Sequence, residues 1–371
     1  MRKINDLTVF TLLIFDVVVV GLGPAGAAFS YFISNYGLKV LSLEKNNKLA
    51  LKPCGELIPR ELLSILNIRP NDVDAYPIKR AVIYFYYKGK LVEKVLEFAS
   101  IEGFSINKRL LLEILTDNAS AQDIKIILGK PVLDLNKNGS IIAKDVGKVR
   151  ANLIICCDGI NGISIKYFKP QRLAATLQRK VKNVRLPYDE AAYALILEGV
   201  KGYGWIIPKS DGTCNVGFGA LNVNPRPFID KMSKVLTWLN SYKVIQEAAA
   251  SIPLSGLRDN IIEGKLIALG DVAGSVFPIS GEGIRPSIVM AKYLAQAVGK
   301  AIIRDDPSII YEGLVKFTKE WGYRIKRSLL YLKIYERMPS QLFKQLFLRV
   351  TPNILRRILD GEFTGAILKF G

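Results

Sequence analysis

Apolar positions along the chain fall into three patterns. Four short runs, Phe15 to Val20, Lys39 to Leu43, Ala151 to Cys156 and Leu266 to Leu269, are apolar on nearly every residue, as strands buried on both faces are. Lys79 to Phe98 has strand-forming content around a Lys88-Gly89-Lys90 turn and predicts a hairpin; Ala192 to Val223 predicts a second β-rich block. Helical spacing marks Asn107 to Ala119, Phe228 to Ala250, Gly283 to Ile303 and everything from Asp306 onward. Neither an internal repeat nor a low-complexity linker interrupts this order. The expected class is α/β.

The first apolar run has two readings. Leu7 to Phe29, preceded by Arg2 and Lys3, has the outline of a signal peptide or a spanning helix. Burying Asp16 in a membrane would cost ~2.5–3.5 kcal/mol, and Pro24 and several glycines interrupt the run. The alternative is a parallel strand feeding Gly21-Leu22-Gly23-Pro24-Ala25-Gly26, a G-x-G-x-x-G turn, and then a helix. Gly21 permits the tight turn, Gly23 lets a pyrophosphate approach the backbone, and Gly26 lets helix and strand pack closely. The helix N-terminus offers N–H donors and a positive dipole end to phosphate. The next strand ends at Glu44, 18 residues after Gly26, placed to accept from ribose hydroxyls. The second reading is preferred: a dinucleotide-binding domain, made discontinuous by β-rich segments that form an inserted substrate domain.

Composition removes several chemistries. The 371 residues contain no histidine, which excludes His-based triads, His-ligated metals and an imidazole acid or base. Four cysteines, two of them the adjacent Cys156 and Cys157, form neither a zinc pattern nor a disulfide framework, so no metal site is expected. Chemistry is left to an organic cofactor. The net charge of +19 is dispersed rather than blocked, which argues against nucleic acid and fits a membrane face or anionic substrate.

A second glycine cluster narrows the cofactor. Gly270-Asp271-Val272-Ala273-Gly274 leads to Phe277-Pro278-Ile279-Ser280-Gly281-Glu282-Gly283-Ile284 and a helix. This resembles the G-D-A-A-G…P…G-x-G-I segment of glutathione-reductase-type FAD proteins built like p-hydroxybenzoate hydroxylase. The resemblance implies an FAD-binding Rossmann-like domain, with Asp271 at the ribityl or pyrophosphate region and Gly281, Glu282, Gly283 and Ile284 beside the flavin ring. N–H donors and a positive helix end there would stabilise negative charge on reduction. Lys52-Pro53-Cys54-Gly55-Glu56 is similar to the K-P-C-G element of the geranylgeranyl reductases, and Tyr203-Gly204-Trp205-Ile206-Ile207-Pro208-Lys209 resembles their Y-x-W-x-F-P, with Ile207 at the phenylalanine position. Flavin halogenases carry a related W-x-W-x-I-P segment.

The implied cofactor set is Gly21, Gly23, Pro24, Ala25, Gly26, Glu44, Lys45, Cys54, Gly55, Arg109, Asp158, Gly159, Gly270, Asp271, Gly281, Glu282, Gly283 and Ile284. Arg109 corresponds to an arginine that contacts FAD in such proteins; a solvated helix arginine is the alternative. Asp158-Gly159-Ile160-Asn161-Gly162 departs from the family's D-G-x-x-S, with Gly162 in place of serine. The domains expected are FAD-binding at 12–77, 103–174 and 258–318, substrate-binding at 78–102 and 175–257, and basic amphipathic helices at 319–371.

The resemblance implies reduction of prenyl C=C bonds in a geranylgeranyl lipid or diphosphate, by hydride from reduced FAD plus a proton. Catalytic candidates are Cys54, as proton donor or site-shaping thiol, and Tyr203 and Trp205, as an aromatic wall stabilising developing cation character. Alternatives are a quinone side-chain reductase, a flavin monooxygenase or halogenase, and a non-catalytic prenyl-lipid carrier. The electron donor stays open between NAD(P)H, a ferredoxin and a quinol, since no second nucleotide fingerprint is present. Residues 321–371 carry 10 Lys and Arg against 3 Asp and Glu, interleaved with aliphatic and aromatic residues. They suit an anionic membrane surface, with packing onto the protein as the alternative. The expected location is cytoplasmic, with a peripheral station on the inner face of the membrane left open.

Overall fold

The structure is a computed structural model that describes residues 13–169 and 172–362. The β-branched run Leu13–Val20 forms an inner strand of an eight-stranded sheet, parallel to Gly147–Cys156 on one side and to Val40–Leu43 on the other. Lys125–Ile127 and Leu266–Ala268 extend these neighbours in parallel. Val17, Val18 and Val19 are fully buried, which explains the unbroken apolar run. Val132–Asn136 and Ser140–Ala143 add an antiparallel excursion to Gly147–Cys156 that the sequence patterns did not announce.

The first helices in chain order are α1 (Pro24–Ile33), α2 (Glu61–Leu66) and α3 (Lys108–Ser120). Between them a small sheet of Leu57–Pro59, Gly103–Ser105 and Tyr76–Ile78 ties the start of the hairpin segment to the cofactor side. The second sheet has seven strands in the order Lys243–Pro253, Leu173–Lys182, Cys214–Leu221, Gly202–Pro208, Ala191–Leu197, Arg80–Tyr87 and Lys90–Glu97. The hairpin with its Lys88-Gly89 turn forms one edge.

The helix expected from Phe228 to Ala250 is shorter. α4 (Arg226–Val235) ends where Trp238 turns in against Tyr193, with ring centroids 5.1 Å apart. Lys243–Pro253 is then an edge strand on Leu173–Lys182. Its three alanines favour helix locally, and the long antiparallel register overrides them.

α5 (Ile284–Arg304) packs on α1, and α6 (Ser308–Phe317) follows it. A π-turn, Thr318–Gly322, leads into α7 (Tyr323–Arg337), α8 (Ser340–Arg349) and α9 (Pro352–Leu359). On α8, Phe343 and Phe347 pack on Phe85 of the second sheet, at 5.0 and 6.0 Å between centroids. The C-terminal helices therefore do cap the protein with one face. Three apolar clusters result among the described residues: one around the parallel sheet, one between the second sheet and α4, and a small one joining Ala174, Leu221, Leu254 and Val276 to Leu332 of α7.

Candidate functional site

Both glycine clusters meet at the C-terminal ends of the parallel strands. Gly21 has φ +93°, and a Cβ there would lie 2.6 Å from the Cys157 carbonyl oxygen. A Cβ on Gly26 would lie 1.9 Å from the Gly21 carbonyl oxygen, so helix and turn close only with glycine at 26. Gly23 differs: a Cβ would meet nothing within 4 Å, so the backbone at the α1 N-terminus, with Pro24 in its first turn, is open to an approaching phosphate. Ala25 faces Gly270, whose added Cβ would come within 2.6 Å of the alanine methyl. The fingerprint and the Asp271 turn are thus one surface, which fits a dinucleotide.

Glu44 is buried at the end of its strand and accepts from the Leu22 N–H (2.9 Å) and the Asn46 N–H (3.0 Å), holding the turn and the acid together. Lys45 is exposed beside it. Lys52 Nζ lies 2.5 Å from Asp271 Oδ2, joining the Lys52–Glu56 segment to the second cluster. Arg109 is exposed and bonds Glu113 at 2.7 Å, so its guanidinium lies along its own helix. Its neighbour Lys108 is the buried one and donates to the Lys52 carbonyl.

Asp158 and Gly159 follow the Gly147–Cys156 strand. Burial pushes the Asp158 carboxyl up, opposed by bonds from the Ser164 hydroxyl and the Ser164 N–H (2.8 Å). A Cβ at 162 would lie 2.1 Å from Asp158 Oδ2. Gly162 therefore accommodates the aspartate, and the serine displaced by two positions takes the bonding role.

The second sheet supplies the facing wall. Alternation on Gly202–Pro208 puts Tyr203, Trp205 and Ile207 on one face, while Gly204 and Ile206 turn to the other core. Trp205 lies across the next strand, where a Cβ on Gly217 would fall 2.1 Å from the indole. Its Nε1 donates to Asn215 Oδ1 (2.8 Å), and Asn215 Nδ2 donates to the Cys54 carbonyl (2.9 Å). Gly55 faces Ile207 and the indole nitrogen, where a Cβ would lie 3.2 and 4.0 Å away. The ring centroids of Tyr203 and Trp205 are 6.2 Å apart.

Tyr203 donates its hydroxyl to the Ser280 carbonyl, in the turn before Gly281-Glu282-Gly283-Ile284. Burial, then Glu282 and Cys54, push its phenol up to about 12. Cys54 Sγ accepts from the Glu56 N–H at 3.4 Å. Glu56 in turn pairs with Lys209 at 2.6 Å. Cys54, Lys52, Ile106, Asn215 and Lys209 line a cavity of about 240 Å³ between the segment around Cys54 and the seven-stranded sheet.

Sequence reading missed Asn215, Lys209 and Arg285. Each acts across a large chain separation, and a lone polar residue in an apolar strand, such as Asn215, was the available signal. Among the described residues no group of His, Cys, Asp or Glu could hold a metal ion, and no helix is long and apolar enough to cross a membrane. Leu13–Phe29, the described part of the signal-like stretch, is strand, turn and helix.

No protein-family model matches the chain. It is 27% identical to digeranylgeranylglycerophospholipid reductase 2 of Methanopyrus kandleri, over 94% of this chain and 93% of that one. It is 25% identical to the digeranylgeranylglycerophospholipid reductase of Thermoplasma volcanium, over 96% and 95%. Among solved structures, a geranylgeranyl bacteriochlorophyll reductase-like protein of Thermoplasma acidophilum superposes with TM-score 0.83 at 22% identity, covering 94% and 96%. A flavin-dependent brominase shares the fold at TM-score 0.72 and 16% identity, covering 94% of each chain. The chain thus aligns along nearly its whole length with several proteins named digeranylgeranylglycerophospholipid reductase, and it shares its fold with flavin-dependent proteins.

Proposed function

We propose that the chain is an FAD-dependent reductase of prenyl C=C bonds, acting on the geranylgeranyl groups of a digeranylgeranylglycerophospholipid. The observation that carries this reading is the chain of bonds from the Trp205 indole through Asn215 to the Cys54 carbonyl, which ties the aromatic wall to a segment that Lys52 joins to the Asp271 turn. The parallel-sheet segments hold the cofactor and the seven-stranded sheet holds the substrate, with the reacting bond beside the Tyr203–Trp205 face.

When bound, reduced flavin supplies a hydride. The chain's residues supply the rest. Tyr203 and Trp205 face developing tertiary cation character with their π-systems, worth ~0.5–2 kcal/mol per ring. Tyr203 keeps its proton but already donates it to Ser280, and both Glu282 oxygens are engaged by Arg285 at 2.8 and 2.9 Å. Cys54 is left as proton donor, its thiolate stabilised by the Glu56 N–H and reprotonated from water. Hydride and proton together add one hydrogen pair per double bond.

The partner surface for a lipid substrate is the outward face of α7. Tyr323, Leu330 and Ile334 are exposed beside Lys326, Arg327, Lys333 and Arg337, while the one acid of the helix, Glu336, turns inward to Arg172. Basic and aliphatic side chains in one stripe fit an anionic bilayer surface.

The test is anaerobic incubation of dithionite-reduced protein with digeranylgeranylglycerophospholipid, followed by mass spectrometry. Stepwise gain of hydrogen pairs is expected. A flavin that stays reduced beside unchanged lipid, or product that needs oxygen, overturns the assignment.

A further inference from the structure

Arg285 is the largest fully buried side chain and belongs to neither the fingerprint nor the aromatic wall. It stands in the first turn of α5, directly after the turn Phe277–Glu282, which closes on itself through the Phe277 N–H and the Glu282 carbonyl (2.9 Å). The guanidinium grips both ends of that turn. Its Nε and Nη2 fork onto the Glu282 carboxylate at 2.8 and 2.9 Å, and its plane lies 5.3 Å from the Phe277 ring and 5.6 Å from Trp321. Its Nη1 reaches Glu61 of α2 and Asp360 at the end of α9, each at 2.8 Å.

We propose that Arg285 is a positioning residue for the flavin-facing turn, and that α9 takes part in the positioning through Asp360. This rests on the reading of residues 277–284 as flavin-facing. A fully buried guanidinium is stable only with its donors engaged, so loosening one carboxylate loosens its hold on the others. α9 is itself fastened close by, with Arg356 on Glu102 and Arg324 on Glu362 (2.6 Å). The C-terminal segment is thereby part of the flavin site's support, in addition to any contact it makes with lipid. Arg285 faces three carboxylates, so the cluster carries excess negative charge beneath the turn. Neutralising Asp360 makes reduced flavin easier to form.

The experiment compares Asp360→Asn, Asp360→Glu and Arg285→Lys in the full chain. Amide hydrogen exchange over 277–284 should quicken about threefold or more in Asp360→Asn and further in Arg285→Lys, whose point charge cannot fork. Exchange in the Leu13–Val20 strand should not change. In flavin-loaded protein the midpoint potential of Asp360→Asn should rise by about 14 mV, a threefold shift at ~29.6 mV per decade for two electrons. Asp360→Glu should restore both readouts. Wild-type exchange and potential in Asp360→Asn, or quickening spread evenly over the fold, overturn the proposal. Should the wild-type chain hold no flavin, the flavin reading falls, and exchange over 277–284 still decides what Arg285 positions. Should Arg285→Lys fail to fold, the Asp360 pair decides.

Discussion

The two sheets contribute to one site by different means. On the parallel side the groups proposed to meet the cofactor are mostly backbone: a glycine turn, a helix N-terminus and an acid at a strand end. On the seven-stranded side they are side chains on one strand face, held by partners far away in sequence. A backbone site fails when a Cβ appears; a side-chain site fails when a ring or an amide is lost.

The largest effect is expected at Gly26. Gly26→Ala places a Cβ within 1.9 Å of a carbonyl oxygen, so both the fold and the flavin should suffer, with ~2–3 kcal/mol lost and colourless protein recovered. Gly23→Ala is the sharpening control. Its Cβ meets nothing, so thermal stability should stay within ~0.5 kcal/mol while flavin affinity, read by fluorescence titration, falls at least tenfold. If both variants bind flavin normally, the backbone account of the parallel side is broken.

Next comes the side-chain wall. Trp205→Ala should retain flavin and lose about 10- to 30-fold in kcat, since ~1.4–2 kcal/mol of transition-state stabilisation corresponds to that range. Trp205→Phe keeps a π-face and should recover part of the rate, though it frees Asn215 and so the Cys54 carbonyl. An alanine variant with unchanged kcat and raised KM would make the indole a binding surface only. Cys54→Ser should lower kcat about 10²-fold, the lower end of the ~10²–10⁴-fold range for a general acid or base. Unchanged rate and product pattern would remove the thiol from the mechanism.

The contrast also explains what was legible in the sequence. Runs of buried β-branched residues and glycine spacings are local, so Leu13–Val20, the Gly21–Gly26 turn and α5 stood out with boundaries close to those found. Cys54, Tyr203 and Trp205 were visible through their motifs, but not the Asn215 relay that sets them, 161 residues from Cys54. Lys243–Pro253 misled because alanine-rich composition favours helix, while its pairing with Leu173–Lys182 is a tertiary decision. Arg109 stood out by correspondence, yet its guanidinium rests on Glu113, and buried Arg285 carried no local mark.

A smaller effect is expected on the C-terminal helices, where one face covers the protein and the other does not. Leu330→Asp with Ile334→Asp alters only exposed positions of α7, so stability should hold. Partitioning onto anionic vesicles in a sedimentation assay should fall about 30-fold, each of the two sites losing on the order of 1 kcal/mol. Binding equal to wild type would assign the exposed stripe no membrane role and leave α7 and α8 as a cap.

The smallest effect tests whether charge on the seven-stranded side acts locally. Burial pushes the Asp211 carboxyl up, but Lys180 (2.8 Å), the Thr213 hydroxyl and the Thr213 N–H outweigh it and hold the group at about 2. A carboxyl depressed on folding stabilises above its unfolded pKa and loses that contribution as pH falls through its folded one. The pair is half exposed, so screening limits the contribution to ~0.5–1 kcal/mol. Asp211→Asn should therefore melt slightly below wild type at pH 7, with the gap about half closed by pH 3. Because the pair lies on the cavity rim, flavin affinity should be untouched; a change there would show that charge on the second sheet reaches the cofactor.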